Sequence, residues 1–391
     1  MAGDESRGRI SETERLKVYV RSGGRCAICG KYLLEGELTH RPMRLGELAH
    51  IVGAMQTPGS PRGIDPLPKV DREMAENLML VCRDQHTELD RRGTLDVMTV
   101  EKLRSIKRDH EAWIRRMTGL DRNRGTAVLR MLGQIRGNTV ELARPTASSA
   151  ILESADRFPD FPLSHDLYGI EIDLQRLPGE GTNEYWSTGM AAIDNVIEHK
   201  LKDAVADGTV QHVSVFAFAR LPLLVYLGSR LDDTYGVEVY QRHRSTDAWA
   251  WPNTDAPAPR FEVRTERMND APANSSAVLI LNVSGTVSPD ELPEELRGLN
   301  RYVLAPAGGN HAGVDVINSP AAVATFRHTV RSLLSDLEVS TKRMPALHVV
   351  GALPVAAAVA LGQAHDPHVH PKFAIYSRTD GGAYEHALDL A

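Results

Sequence analysis

Polar and apolar positions along this chain change rhythm three times. In the front region the segment 83–91 reads as helical, and 99–117 as a longer helix that closes that region. Between residues 121 and 166 the pattern loosens. Arg122-Asn123-Arg124-Gly125 leads into a short helix-like stretch that runs to Leu142. Arg144-Pro145-Thr146-Ala147-Ser148-Ser149 and the proline-spaced Phe158-Pro159-Asp160-Phe161-Pro162 follow, and the whole reads as a connection between domains. From about Tyr168 short β-rich runs alternate with helical ones, which predicts an α/β sheet of Rossmann-like character. The expected organisation is a front domain at 1–120, a linker at 121–166 and a rear domain at 167–391.

The rear region contains an internal echo. Residues 212–242 read as an apolar strand, Leu221-Pro222, a helix ending near Leu227-Gly228, and a strand with Tyr240-x-Arg242. Residues 347–378 repeat that order with Leu353-Pro354, Leu361-Gly362 and Tyr376-x-Arg378. Two similar halves packed about a pseudo-two-fold axis bring their equivalent strand-to-helix turns together, because the crevice of such a sheet lies at the carboxyl ends of its strands. The pocket so formed suits a ligand of approximate two-fold symmetry, such as a cyclic dinucleotide, with helix N-termini and arginines facing its phosphates. Arg220, Arg242, Arg244, Lys372 and Arg378 are the candidate phosphate contacts. Trp249 and Trp251 follow a strand, where the indoles either stack on a purine or bury against the sheet.

The chemistry-bearing residues concentrate elsewhere. Cys26-x2-Cys29, Glu47-Leu-Ala-His50, Asn77 and Cys82-x3-His86-x3-Asp90 share one short window, and it holds all three cysteines of the chain. Thiolates grouped in this way hold a metal. His86 and Asp90 stand four apart in a helical segment, on one face.

The order of these residues resembles the HNH endonuclease family, whose treble-clef-like ββα-metal core is a hairpin followed by a helix around one divalent ion. The resemblance implies His50 as general base, Asn77 as the residue that orients it, and His86 as a metal ligand. Asn77 suits that role because its carbonyl can accept the second ring proton of His50 and so fix its tautomer. Phosphodiester hydrolysis needs a base to deprotonate water and a hard cation, Mg2+ or similar, to stabilise the phosphorane. The chain departs from the family pattern at two positions. Ala49 stands where many relatives place a ligand directly before the base, so Glu47 or Asp90 takes that place. Gln85 stands where many have a fourth cysteine. A structural Zn2+ on Cys26, Cys29 and Cys82 is then completed by His40 or His86, or is absent.

The rear region looks like a SAVED domain, two fused CARF-like halves that bind cyclic oligonucleotides. The resemblance rests on Val215-Phe216-Ala217-Phe218-Ala219, Leu221-Pro222, Leu227-Gly228, Val239-Tyr240-Gln241-Arg242, Trp249-Ala250-Trp251, Gly351-Ala352-Leu353-Pro354 and Ile375-Tyr376. Tyr376 thereby joins the ligand-binding candidates. An HNH front joined to a SAVED rear is similar in architecture to the HNH-SAVED effector nucleases of bacterial CBASS anti-phage defence. That implies an endonuclease with little sequence preference for double-stranded DNA, activated by a cyclic di- or trinucleotide that promotes a homo-oligomer.

Charge bears on this expectation. The net charge is −6. Residues 1–120 carry 21 Lys and Arg against 18 Asp and Glu, the remainder 24 against 33, so the front is +3 and the rear −9. A front that approaches phosphates and a rear that does not grip a long polyanion fit this balance. Helix 99–117 carries Lys102, Arg104, Lys107, Arg108, Arg115 and Arg116, as a solvated face or a DNA-backbone surface. No apolar run approaches the roughly 18 residues of a membrane span, and the start lacks an apolar signal core, so a cytoplasmic protein without membrane contact is expected. The turn Gly308-Gly309-Asn310-His311 lacks the lysine and hydroxyl of a P-loop. A competing expectation is a ligand-sensing transcriptional switch with a zinc-stabilised, non-catalytic front domain.

Overall fold

The computed structural model describes residues 8–119, 124–161, 170–231, 233–252, 256–267, 275–309, 311–340 and 344–390. The chain divides into two compact units, Met1–Asp121 and Arg122–Ala391.

The front unit opens with α1 (Glu12–Arg21), started by Ser11, whose hydroxyl accepts the Glu14 N–H. Strand β1 (Gly46–His50) follows. A long connection contains α2 (Lys69–Arg72) and leads to β2 (Leu78–Cys82), which pairs antiparallel with β1 so that His50 faces Leu78 and Gly46 faces Cys82. Helix α3 (Arg83–Leu89) starts directly after β2, and α4 (Val100–Gly119) closes the unit. A short apolar core of Val18, Leu33, Ile51, Leu78, Leu80, Leu89 and Leu103 holds these pieces together. The connection between the strands is organised by Arg72, which is fully buried. Its guanidinium donates to the carbonyls of Gly53, Met55, Gly63, Asp65 and Leu67, so one side chain satisfies a loop with few other internal bonds.

The rear unit begins with β3 (Gly125–Leu132), α5 (Arg144–Ser154), β4 (Phe158–Asp160), β5 (Ile170–Asp173) and α6 (Asn183–Val196). After one π-helical turn come α7 (Lys202–Ala206), β6 (His212–Phe218), α8 (Leu221–Arg230) and β7 (Gly236–Tyr240). These strands form a parallel sheet in the order β4-β3-β6-β7, with β5 continuing the β4 edge of β3. The second half supplies β8 (Phe261–Glu266), β9 (Ala277–Asn282), α9 (Glu294–Arg297), β10 (Asn300–Pro306), α10 (Pro320–Ser340), β11 (Ala346–Ala352), α11 (Val355–Ala364), β12 (Lys372–Arg378) and β13 (Tyr384–Leu390). Its six-stranded sheet runs β13-β12-β11-β9-β10-β8, parallel in the middle and antiparallel at both edges.

The expected linker is largely part of this unit. Strand β3 is buried at Ala127, Val128, Leu129 and Met131 and is paired on both edges. Its run of Ala, Leu, Met and Arg also suits a helix, and only the neighbouring strands decide the matter. Residues 120–123 and 162–169 lie outside the described residues, as do Asn310 of the glycine turn and the expected start of the rear domain at 167.

The internal echo corresponds to β6-α8-β7 and β11-α11-β12, one copy in each sheet, with α8 and α11 packed on each other. A Cβ added to Gly228 would lie 2.0 Å from the Val359 carbonyl oxygen, and one added to Gly362 would lie 2.0 Å from that of Val225. Each glycine thus meets the residue three before its counterpart. That reciprocity is the signature of a local two-fold relation, and it requires glycine on both helices.

Candidate functional site

In the front unit β2 ends in Cys82, which caps α3, while Cys26 and Cys29 sit on a tight turn. In that turn Gly30 N–H bonds Cys26 O (2.9 Å) and Gly30 takes a positive φ of 72°. The three sulfurs lie within 4.8 Å of one another, and Cys29 and Cys82 are 3.9 Å apart. Sulfurs about 2.3 Å from a tetrahedral zinc stand ~3.8 Å from each other, so this donor set fits Zn2+. Burial works against ionising Cys26, yet backbone N–H groups of Cys29, Ile28 and Cys82 outweigh it and lower its thiol; burial and Cys26 itself push Cys29 up to about 11. Neither histidine expected to complete the set joins it. His40 is exposed and 3.3 Å from Glu35, and His86 is engaged elsewhere.

His86, on α3, stands between two carboxylates: Nδ1 is 2.6 Å from Glu47 and Nε2 is 3.5 Å from Asp90. The Asp90 contact, opposed by burial and reinforced by Glu47, raises its pKa. Glu47 and Asp90 therefore address opposite ring nitrogens, and among the described residues only the three cysteines form a group with metal-ligand convergence. Nε2 and Asp90 are the donors that would hold a divalent ion on this histidine, with Glu47 then fixing the tautomer through Nδ1. Asp90 is also held by Arg62. That guanidinium further donates to Ile51 O, Leu89 O and His50 O and so ties the end of β1 to the end of α3.

His50 ends β1, nearly buried, with Nε2 3.3 Å from Glu73. Asn77 does not orient it as expected. Its Oδ1 accepts Val52 N–H (2.9 Å) while its Nδ2 donates to Val52 O and Arg72 O, so it clamps the chain just beyond His50. The carboxylate beside His50 is Glu73, which no spacing in the sequence singles out. On α4, Lys102, Arg104, Arg108, Arg115 and Arg116 are exposed, whereas Lys107 is buried against Glu111.

In the rear unit a cavity of about 520 Å³ opens where the two halves meet. Its walls are the turns after β6 (Phe218 to Leu221) and β11 (Gly351 to Val355), with Gln241 and Arg242 beyond β7 and Tyr376 to Arg378 ending β12. Carboxyl ends of strands and first turns of α8 and α11 thus form its floor, as expected for such sheets. Arg136, Arg220, Arg242, Arg244 and Arg378 line it, without an acidic residue among the described lining. Gln241 is pinned by Ile317 O (2.6 Å) and Ala356 N–H (3.3 Å), which locks the end of β7 to the start of α11. Four of the arginines meet carboxylates just outside the lining: Arg136 and Asp380, Arg220 and Glu180, Arg242 and Asp247, Arg378 and Glu291. Arg244 has no ion pair among the described residues.

Five of the eight expected ligand residues, Arg220, Arg242, Arg244, Tyr376 and Arg378, come together here. Trp249 and Trp251 do not. They are 3% and 8% exposed, and Trp249 packs 5.6 Å from the Phe216 ring, because their loop folds back onto the sheet core. Lys372 opens β12, at the end of the strand opposite the cavity, and pairs with Asp389 at 2.7 Å. Arg136 escaped notice because it lies in the stretch read as linker.

A cavity assembled from two sheet halves, floored by helix starts and lined by arginines, defines a ligand-binding α/β module. The family described as "SMODS-associated and fused to various effectors sensor domain", SAVED, matches residues 193–390, and the chain belongs to it. Among solved structures it is similar to the Acinetobacter baumannii Cap4 SAVED/CARF-domain containing receptor with the cyclic trinucleotide 3'3'3'-cAAA (TM-score 0.44, 13% identity, 78% of this chain and 62% of that one). The same receptor with 2'3'3'-cAAA gives 0.41, 13%, 78% and 61%, and the Moraxella osloensis Cap4 receptor 0.39, 13%, 75% and 61%. The chain thus spans somewhat over 60% of the length of these receptors. No curated protein matches it. No helix among the described residues is long and apolar enough to cross a membrane.

Proposed function

We propose that this chain is a metal-dependent HNH-type DNA endonuclease switched on by a cyclic di- or trinucleotide, acting in anti-phage defence by degrading double-stranded DNA. The observation that carries the sensing half is the cavity, whose five arginines, with no acid among the described lining residues, suit a compact polyanion. Its construction from both halves suits a ligand with repeated phosphates.

The nuclease half is supported by the run of strand, strand and helix that carries His50, Asn77 and His86 in order. His50 takes the proton from water, and Glu73, 3.3 Å from its Nε2, stabilises the imidazolium that results. Arg62 holds the His50 carbonyl and Asn77 clamps Val52 two residues on, which together fix the backbone that carries the ring. His86 with Asp90 would hold a divalent ion, which would supply charge stabilisation at the phosphodiester. Zinc on the three cysteines is structural, and the exposed basic side chains of α4 meet the DNA backbone. Cyclic nucleotide binding promotes a homo-oligomer, which presents two such sites to opposite strands.

Purified protein, plasmid DNA and Mg2+ with a panel of cyclic di- and trinucleotides tests this directly. Cutting is expected only with a matching nucleotide, and Arg244→Ala, which breaks no ion pair among the described residues, should weaken activation about tenfold while leaving the fold intact. Equal cutting with and without every nucleotide would refute gating; no cutting at all would refute the nuclease.

The Glu47-His86-Asp90 cluster, which engages both ring nitrogens, gives specific support to a second reading, a DNA-binding switch without catalysis. His50→Ala separates the two. A catalytic His50 yields folded protein that binds nucleotide and DNA but leaves DNA intact, whereas a structural one alters binding.

A further inference from the structure

Arg220 meets two carboxylates of different character. Glu180 is 17% exposed, and its Oε1 accepts both Arg220 Nε (2.5 Å) and the backbone N–H of Arg136 (2.7 Å) while its Oε2 accepts that of Gly137 (3.1 Å). Those two amides project from a tight turn closed by Ile135 and Asn138, where Arg136 and Gly137 both take positive φ, 52° and 72°. Burial opposes the charge on Glu180, but the amides and Arg220 outweigh it and keep the carboxylate ionised. Glu180 is therefore a fixed brace that holds Arg220 and the Arg136 turn at the cavity wall. Asp380 differs on each count. It is 77% exposed, it sits at the tip of the β12–β13 hairpin beside Gly381 and Gly382, and its Oδ1 lies 3.2 Å from Arg136 Nε and 3.8 Å from Arg220 Nη2.

We infer that Arg136 and Arg220 form an anion subsite for one phosphate of the ligand, and that Asp380 is a displaceable latch occupying it in the empty state. The inference rests on the reading of the cavity as a site for a phosphodiester ligand. An exposed acid between two guanidiniums is weakly held, because water screens the pair. A phosphate brings more oxygens and charge to the same pair of forks. Since β12 carries Tyr376 and Arg378 and leads straight into the hairpin, release of Asp380 is felt by the second half of the cavity; Arg220 Nη1 also donates to Arg378 O at 3.0 Å.

Titration calorimetry of the full chain with inorganic pyrophosphate at low ionic strength tests this. Asp380→Asn is expected to bind pyrophosphate about three- to tenfold more tightly than wild type, the range for removing one exposed competing charge. The gain should vanish in the Arg136→Gln background, and Asp203→Asn, which removes a distant exposed acid on α7, should change nothing. Unchanged or weaker binding by Asp380→Asn overturns the latch, as does an equal gain from Asp203→Asn or no pyrophosphate binding by either protein. If the pyrophosphate pattern holds while no cyclic nucleotide binds, the subsite stands and the cyclic-nucleotide reading falls. If cyclic nucleotides bind and Asp380→Asn has no effect, the reverse is true.

Discussion

Replacing Gly362 by alanine is expected to destabilise the rear unit even though alanine is the better helix former. The added Cβ would fall 2.0 Å from Val225 O and 2.7 Å from Ser229 N, both backbone atoms of the facing helix. Ordinary contact is about 3.4 Å, so α8 and α11 must separate by roughly 1.4 Å. A gap of that size forfeits much of the dispersion across the crossing, and overpacking of this kind costs about 3 kcal/mol. The helix-propensity gain of Ala over Gly returns about 1 kcal/mol, leaving a net loss of ~2 kcal/mol. For a unit of this size that lowers Tm by about 4–8 °C. Differential scanning calorimetry of the full chain reads the shift, with Gly298→Ala as control, since its Cβ meets nothing within 4 Å and its φ is −85°. Gly228→Ala should cost a similar amount, and the double variant less than both together, because one separation relieves the other clash. Because the cavity lies at the starts of these two helices, ligand affinity should fall as well. A raised or unchanged Tm for Gly362→Ala would refute the close crossing, and with it the two-fold relation of the halves.

Other outcomes follow from individual side chains. Arg72→Met should unfold or loosen the front unit by more than about 4 kcal/mol, because five carbonyls, those of Gly53 and Gly63 buried, lose their donor, with Arg72→Lys intermediate; denaturant titration and proteolysis within 53–67 report it, and a loss under 1 kcal/mol would refute the role. His212 is buried, hydrogen-bonded by Nδ1 to Thr126 (2.7 Å), and burial with nearby Arg157 lowers its pKa to about 4. The unfolded chain therefore binds the proton first, so this contribution to stability is complete above about pH 6.5 and is lost as pH falls toward 4, by roughly 2–3 kcal/mol. His212→Gln should flatten that part of the stability–pH curve, and an unaltered slope would count against it. Cys82→Ser should lower both zinc content by elemental analysis and Tm of the front unit; well-folded wild type without zinc would remove the structural-zinc assignment.

The sequence by itself determined what local spacing can encode. Cys26-x2-Cys29 with Cys82 marked a thiolate cluster, because a tight turn and a strand end bring these residues together in a short window. The repeat of Leu-Pro, Leu-Gly and Tyr-x-Arg marked the duplicated halves and, in Arg242 and Arg378, two of the cavity arginines, since equal local patterns fold alike and strand ends converge at the crossover. Only the tertiary structure decided which side chain meets which across the chain. Asn77 turned to the backbone of Val52 rather than to His50, and Glu73 took the place beside that ring. The apolar run at 125–132 became a strand because β6 and β4 lie alongside it, and the indoles of Trp249 and Trp251 entered the core because the apolar surface they cover is assembled from other strands. Lys372 and Arg378 open and close the same strand, and the direction of β12 relative to its neighbours puts one at the cavity and the other away from it. Such outcomes depend on long-range contacts that no local window records, and for that reason Arg136, within a supposed linker, and Asp380, at a hairpin tip, emerged only when the two halves were assembled.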